Sequence, residues 1–171
     1  AMTNTIADIT QDSEVIMLVG SNPEHAHPVI GMQIRQAVQR GAKLIVVDPR
    51  DIDLSRQADI HLKLRPGTNI AFANGMMHIE EDLIDHEFIE KRTEHFEEIK
   101  KVVAEYTPER VAEICRIDPD KLREAARLYA KAKTAPVIYC LGVTEHHTGT
   151  HGVISLSNMV MMVGKFGKRG C

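Results

Sequence analysis

Val15-Ile-Met-Leu-Val19 is an uninterrupted apolar run closed by Gly20-Ser-Asn-Pro23, and Leu44-Ile-Val-Val47 repeats the pattern before Asp48-Pro-Arg50. Runs this short, rich in branched side chains and without polar alternation, predict strands buried on both faces of a parallel sheet. Between them Ile30, Ile34, Ala37 and Val38 recur at helical spacing, with Pro28 suited to the first turn and Gly41 to the helix end. Strand, helix and strand in about thirty-five residues make a βαβ unit, with a right-handed crossover. Ile60 and Leu62 alternate with His61 and Lys63 and predict a third, shorter strand. Pro66-Gly-Thr-Asn69 then opens a helix that carries Phe72, Met76 and Ile79. Thr107-Pro108 and Asp118-Pro119 each read as an N-cap followed by proline in the first turn. Behind the second, Leu122, Ala125, Ala126 and Tyr129 form an apolar stripe. Pro136-Val-Ile-Tyr-Cys140 is a fourth apolar run, followed by a polar loop to Gly149 and a last helix with Val153, Leu156, Val160 and Val163.

Strands alternating with helices define an α/β domain with helices on both faces of a parallel sheet. Residues 1–171 form one domain, and the helices from about 80 to 133 are expected as a small helical insertion within it. A chain of this length buries roughly 70% of its unfolded surface, enough for a core without disulfide or metal staples. Aromatic residues make up only 4% and Trp is absent, so that core is built from aliphatic side chains and Met.

Charge and cysteine usage narrow the function classes. The net charge is −3 with no basic block, which leaves nucleic-acid binding without an electrostatic footprint. No apolar run approaches the ~20 residues of a membrane helix, and no signal-peptide pattern opens the sequence. Cys115, Cys140 and Cys171 are far apart and match no zinc spacing. So sparse a set fits a reducing compartment, and the expected location is cytoplasmic.

The candidate chemistry lies where strands end. Gly20-Ser-Asn-Pro-Glu-His25, Asp48-Pro-Arg50 and Leu141-Gly-Val-Thr-Glu-His146 are polar, turn-forming segments that follow apolar runs. In an open parallel sheet such ends share one edge, beside helix N-termini that present free N–H groups to phosphates. Asp48 stands where nucleotide-binding folds place a carboxylate for ribose hydroxyls. The first loop lacks G-x-G-x-x-G, which disfavours an ordinary NAD site, and Gly20, Asn22 and Pro23 are equally compatible with a plain turn. The histidines at 25, 27, 146, 147 and 151 fit no closed zinc site and read as loop residues. Met159, Met161 and Met162 read as core, and Cys140 as a buried small hydrophobe. No nucleophile–base arrangement stands out.

Several segments occur together in the order of a known family: Ala1-Met-Thr-Asn-Thr-Ile6, Gly20-Ser-Asn-Pro-Glu-His-Ala-His-Pro28, Gly41-Ala-Lys-Leu-Ile-Val-Val-Asp-Pro-Arg50, Arg65-Pro-Gly-Thr-Asn69, Leu141-Gly-Val-Thr-Glu-His146 and Gly164-Lys-Phe-Gly-Lys168. The whole chain resembles a Rossmann-like internal domain, the third, of the large subunit in bis-molybdopterin-guanine-dinucleotide oxidoreductases. Ala-Met-Thr-Asn4 and Tyr106-Thr-Pro-Glu109 are most similar to formate dehydrogenases. The resemblance implies that Gly20, Ser21, Asn22, Glu24 and His25 approach the phosphates and ribose of the guanine nucleotide. It implies that Asp48, Pro49 and Arg50 hold ribose and guanine, that Gly67, Thr68 and Asn69 contact the nucleotide, and that Leu141, Gly142 and Glu145 flank the pterin. Relatives often carry Gln where Glu145 stands. A parent enzyme of this kind oxidises formate at molybdenum or tungsten and passes electrons to 4Fe-4S clusters in another domain. The metal ligand, a Cys or selenocysteine, is expected before residue 1, and an Arg-Gly-Gln motif after Cys171. The 171-residue stretch is therefore expected to have no catalytic group, no metal and no turnover alone, and to bind no cofactor by itself. Its expected partners are the remaining domains of the large subunit and an electron-transfer iron–sulfur subunit. A domain of a nitrate reductase and a stand-alone nucleotide-binding module are the alternatives. Self-association or disorder is expected near the termini and at 141–152, where neighbouring domains would otherwise cover the surface.

Overall fold

The computed structural model describes residues 4–78 and 80–171; Ala1, Met2 and Thr3 of the opening motif and Ile79 of the expected helix lie outside the described residues. The two apolar runs form the centre of the sheet. Strand β1 (Val15–Val19) pairs parallel with β2 (Lys43–Val47), from Val15 opposite Lys43 to Val19 opposite Val47. Strand β3 (Ile60–Leu62) adds beyond β2, and β4 (Val137–Tyr139) adds on the other side of β1. Among the described residues the sheet is thus four parallel strands in the order β3-β2-β1-β4. The direction of build-up reverses at β1, and such a reversal opens a crevice at the carboxyl ends of the strands.

The helices are α1 (Ile6–Gln11), α2 (Pro23–Ala26), α3 (Pro28–Gln39), α4 (Asn69–Met77), α5 (His86–Arg92), α6 (Phe96–Ala104), α7 (Pro108–Cys115), α8 (Pro119–Lys131), α9 (Leu141–Thr144) and α10 (Gly149–Met162). Alternation along each strand sends side chains to opposite faces. Ile16, Leu18, Leu44 and Val46 meet Ile34 and Ala37 of α3, together with Ile52 and Leu54 around the 3-10 turn Asp53–Gln57. Met17, Val19, Ile45, Val47, Ile60 and Leu62 face the other way. They pack under Phe72 and Met76 of α4, Leu122 and Tyr129 of α8, and Leu156 and Met159 of α10. A sheet covered on both faces explains why β1 and β2 have no polar alternation.

The caps agree with the sequence. The Thr107 side chain accepts from Arg110 N and the Asp118 side chain from Asp120 N and Lys121 N, each with proline in the first turn. Helix α3 begins at Pro28 and gives way to Gly41 at φ 108°.

Other features depart from the expectations. Helix α1 is held by a capping box in which the Thr5 hydroxyl and the Asp8 carboxylate serve each other's backbone N–H groups. That Thr-x-x-Asp signal is present in the sequence but precedes too short an apolar pattern to stand out. Residues 141–149, expected as loop, contain α9 and the start of α10. Val163 caps the last helix and does not extend it. Strand β4 is a partly exposed edge, because it has a neighbour on one side only. For the same reason Cys140 is half-buried at the strand end and is not a core residue.

Candidate functional site

Parallel strands deliver the loops after β1, β2 and β4 to one rim, and the loop before α4 joins them there. The result is a crevice of about 560 Å3. Gly20, Asn22 and His25 line it from the first loop and α2; Asp48, Pro49 and Arg50 from the second; Gly67 and Asn69 from the start of α4; Leu141, Gly142 and Glu145 from α9. Eleven of the fourteen residues singled out from the sequence meet in this one space. Its volume is within the usual ~300–1,000 Å3 range for small-molecule and cofactor sites.

Two glycines make the rim possible. Gly20 takes φ 55°, a left-handed conformation suited to glycine, and its N–H donates to Val47 O at 2.8 Å. Gly142 N then donates to Gly20 O at 3.1 Å, which ties the loop after β1 to α9 after β4. The backbones are so close that a Cβ on Gly142 would lie 2.7 Å from Gly20 Cα, and one on Gly20 would lie 2.7 Å from Gly142 C. The Gly142 carbonyl also accepts from Asn69 Nδ2 at 3.1 Å, and His146 Nε2 lies 3.1 Å from the same oxygen. Asn69 and His146 therefore tie α4 and the end of α9 to the contact between the two glycines.

Asp48 is 2% exposed, yet its carboxylate has partners. Oδ1 accepts from Arg50 N at 2.9 Å and Nε at 3.0 Å, and Oδ2 accepts from Nη2 at 3.1 Å. The two-pronged geometry orients the guanidinium plane, and most of that side chain stays exposed at the rim. Hydrogen bonding to Asp48, followed by its charge, holds the Arg50 pKa above the ordinary value. His61 Nε2 lies 3.0 Å from the Asp48 carbonyl, so β3 braces the same turn. Behind it Lys63 Nζ donates to Asp51 at 2.8 Å, and this hydrogen bond, opposed by partial desolvation, helps lower the Asp51 pKa.

Ser21, Glu24 and Thr68 do not line the crevice. Ser21 is buried under the first loop and borders a separate groove along β4. Glu24 turns to α3, where Arg35 Nε donates to its Oε1 at 3.0 Å. Thr68 caps α4 by position, and its hydroxyl donates to Arg65 O at 2.7 Å. On the other side, Arg65, Cys140 and His146 line the crevice although the sequence reading assigned none of them to the site. Arg65 is exposed and forms no ion pair with any described residue. Its signal was its place directly before Pro66-Gly67, where the turn projects it to the rim. Cys115, buried under the turn, has its thiol pKa pushed up by that burial. Among the described residues no group of His, Cys, Asp or Glu is arranged to hold a metal ion. The arrangement can therefore bind and orient an anionic, hydrogen-bonding ligand, with Arg50 and Arg65 as cations and glycine backbone at its centre.

The model of the family described as molybdopterin oxidoreductase matches residues 1–170. The alpha subunit of a formate dehydrogenase from Methanocaldococcus jannaschii is 44% identical over 172 residues, covering 99% of this chain and 25% of that protein. The assimilatory nitrate reductase catalytic subunit of Bacillus subtilis is 36% identical over 169 residues, covering 98% of this chain and 24% of that protein. The solved structure of acetylene hydratase from Pelobacter acetylenicus superposes with a TM-score of 0.85 at 32% identity, over 95% of this chain and 22% of that one. The chain thus spans about a quarter of the length of the curated relatives it matches.

Proposed function

This chain belongs to the molybdopterin oxidoreductase family, and from that premise we propose that its crevice holds the nucleotide end of a molybdopterin guanine dinucleotide within the large subunit of a formate dehydrogenase. One observation carries the reading: the loops after β1, β2 and β4 and the start of α4 meet at the reversal point of the sheet, around two glycines in backbone contact. The residues fit such a group. Asn22 Oδ1 is buried without a hydrogen-bond partner, an acceptor left for a ligand donor. Arg65 and the exposed part of Arg50 supply cations for two phosphates, and the planar guanidinium of Arg50 also suits stacking on a base. Glycine at 20 and 142 lets the two backbones touch, so that neither residue puts a side chain into the crevice. Asn69 can turn from Gly142 O toward the ligand, with His146 still holding that carbonyl.

When bound, the pterin and its molybdenum or tungsten supply the two-electron oxidation of formate to carbon dioxide. This chain's part is to bind, orient and shield. Asp48 fixes Arg50, Asn69 and His146 fix the rim at Gly142, and Leu141 offers an apolar surface toward the pterin side. Glu145 is acceptor-only when ionised, which suits the N–H-rich edge of a pterin and repels a phosphate placed there. The remaining domains of the parent supply the metal ligand and the 4Fe-4S cluster, and an iron–sulfur subunit takes the electrons. Formate is favoured over nitrate by the higher identity to the formate dehydrogenase subunit.

The test uses the full-length parent. A charge-assisted hydrogen bond is worth about 1.5–3 kcal/mol, roughly ten- to a hundredfold in affinity. Arg65→Ala and Asp48→Ala should each lower the metal and guanine nucleotide recovered per mole of protein, while folding is preserved by circular dichroism. Unchanged content in both variants would overturn the assignment of the crevice. Formate-dependent dye reduction by the wild-type parent, with no nitrate-dependent oxidation of the reduced dye, checks the substrate separately.

A further inference from the structure

Phe72 and Met76 of α4 and Leu156 and Met159 of α10 pack into the core. Helical periodicity therefore turns Asn74, and Ile154 and Asn158, to the other side of the helix pair, with Ser155 between the two faces of α10. A cavity of about 620 Å3 opens there, with α6 as its far wall. Asn74 is 6% exposed and Ser155 9%; both line the cavity, and neither side chain has a hydrogen-bond partner among the described residues. A serine within a helix has an easy outlet, which Ser157 uses: its hydroxyl donates to Val153 O at 3.0 Å. Ser155 makes no such bond. Buried polar groups are nearly always paired, and these two, on neighbouring helices, face one shared space. Asn158, one turn beyond Ser155, lines the same floor.

We propose that this cavity is a second binding site, for an uncharged small molecule with an aromatic body and a carboxamide head. The floor selects the head. An Asn side chain offers one acceptor and two donors, the complement of another amide, and the Ser155 hydroxyl can serve either role. The walls select the body. Phe96, Ile99 and Val102 of α6 face Ile154 and Met161 of α10, and a methionine beside a phenylalanine adapts to a flat ring. Charge decides against an acid. None of the described lining residues is Lys or Arg, while Glu94 and Glu98 stand at the α6 edge, with Glu98 2.8 Å from His95 Nδ1. A carboxylate or phosphate entering here meets like charge and no cation. Val102 and Ile154 are half exposed, which leaves the cavity an open mouth. No residue lines both this cavity and the crevice, and the assignment does not rest on the cofactor reading.

The experiment titrates the full-length protein with three probes that share a ring: naphthylacetamide, its methyl ester counterpart methyl naphthylacetate, and the naphthylacetate anion. Saturation-transfer NMR and calorimetry read the affinities. Naphthylacetamide should bind with a Kd of about 1 mM or below, as its size allows. The ester, without N–H groups, should bind about three- to tenfold more weakly, and the anion at least about tenfold more weakly. Asn74→Leu, close in shape, should erase the preference for amide over ester, which a general loosening of the fold would not do. Ser155→Ala should reduce it. Should Asn74→Leu fail to fold, Ile154→Glu decides: its position is half exposed, so the chain stays folded, and a charge on the apolar wall should weaken the amide about tenfold. No binding of the amide, equal binding of amide and anion, or an affinity that Asn74→Leu and Ile154→Glu both leave unchanged would each overturn the proposal. None of these readouts depends on metal or guanine nucleotide content, so their failure leaves the crevice assignment standing.

Discussion

At the scale of single residues the crevice rests on a carboxylate that could not be buried alone. Asp48 is taken from water at the end of β2, and the desolvation cost of a charge is met by one guanidinium and one backbone N–H. Truncating Arg50 leaves the carboxylate with the N–H alone. Losing one partner of a fully buried pair costs about 3–5 kcal/mol; here the Arg50 side chain is largely exposed and its contribution is screened by solvent. Arg50→Ala should therefore lower stability by about 1–2 kcal/mol, read as a lower urea midpoint for the 171-residue chain with unchanged slope. An unchanged midpoint would mean that water replaces the guanidinium freely. Asp48 and Arg50 were legible in the sequence because a short polar turn after an apolar run has few places to go. The pairing between them was not, since Arg50 could equally have pointed away. Arg65 was left out of the site for a related reason: its place before Pro66-Gly67 marks a turn but does not say which way the turn opens.

Among the elements, the strands were legible and their edges were not. Val15–Val19 and Leu44–Val47 announce themselves because burial on both faces removes every polar position. The proline-started helices α3, α7 and α8 carry their caps in the sequence. The contact between the loop after β1 and α9 was invisible, since it joins positions more than a hundred residues apart and depends on neither bearing a Cβ. Gly142 gives a clean test. It is not among the residues with positive φ, so alanine there pays no backbone penalty and meets only the atoms of Gly20. Those atoms are main chain and cannot rotate aside. Gly142→Ala should part the two loops and cost about 1–3 kcal/mol, the usual range for overpacking a tight contact. Gly41→Ala is the counterpart: φ is 108° and no atom lies within 4 Å of the added Cβ, so only strain of the left-handed kind, about 1–2 kcal/mol, applies. Thermal melts compare the two. In the full-length parent Gly142→Ala should also lower cofactor content and Gly41→Ala should not, because Gly41 lies at the opposite end of the sheet. Equal cofactor loss from both would show that general destabilisation, not the geometry of the rim, governs retention.

For the whole molecule, the distribution of exposed apolar side chains is uneven. Val29, Tyr139 and Leu141 lie around the β4 edge, whereas α8 turns Asp120, Lys121 and Glu124 to solvent. A free parallel edge beside aliphatic side chains is a surface that two copies can share, by pairing backbone across the edges and burying the groove between them. When the 171-residue chain is made alone, nothing else in solution competes for that surface. It should therefore self-associate, and the association should be concentration-dependent because an edge this short buries little area. Sedimentation velocity over a wide concentration range would show the sedimentation coefficient rising with loading. Val29→Glu with Tyr139→Lys places charges on the groove without touching the buried faces of β1 and β2, so the double variant should remain folded and stay monomeric across the same range. Association that persists in the double variant would locate the sticky surface elsewhere, with the exposed Val102 and Ile154 beside α6 and α10 as the next place to mutate. A wild-type chain that stays monomeric at every concentration would show that the β4 edge is tolerated by solvent as it stands.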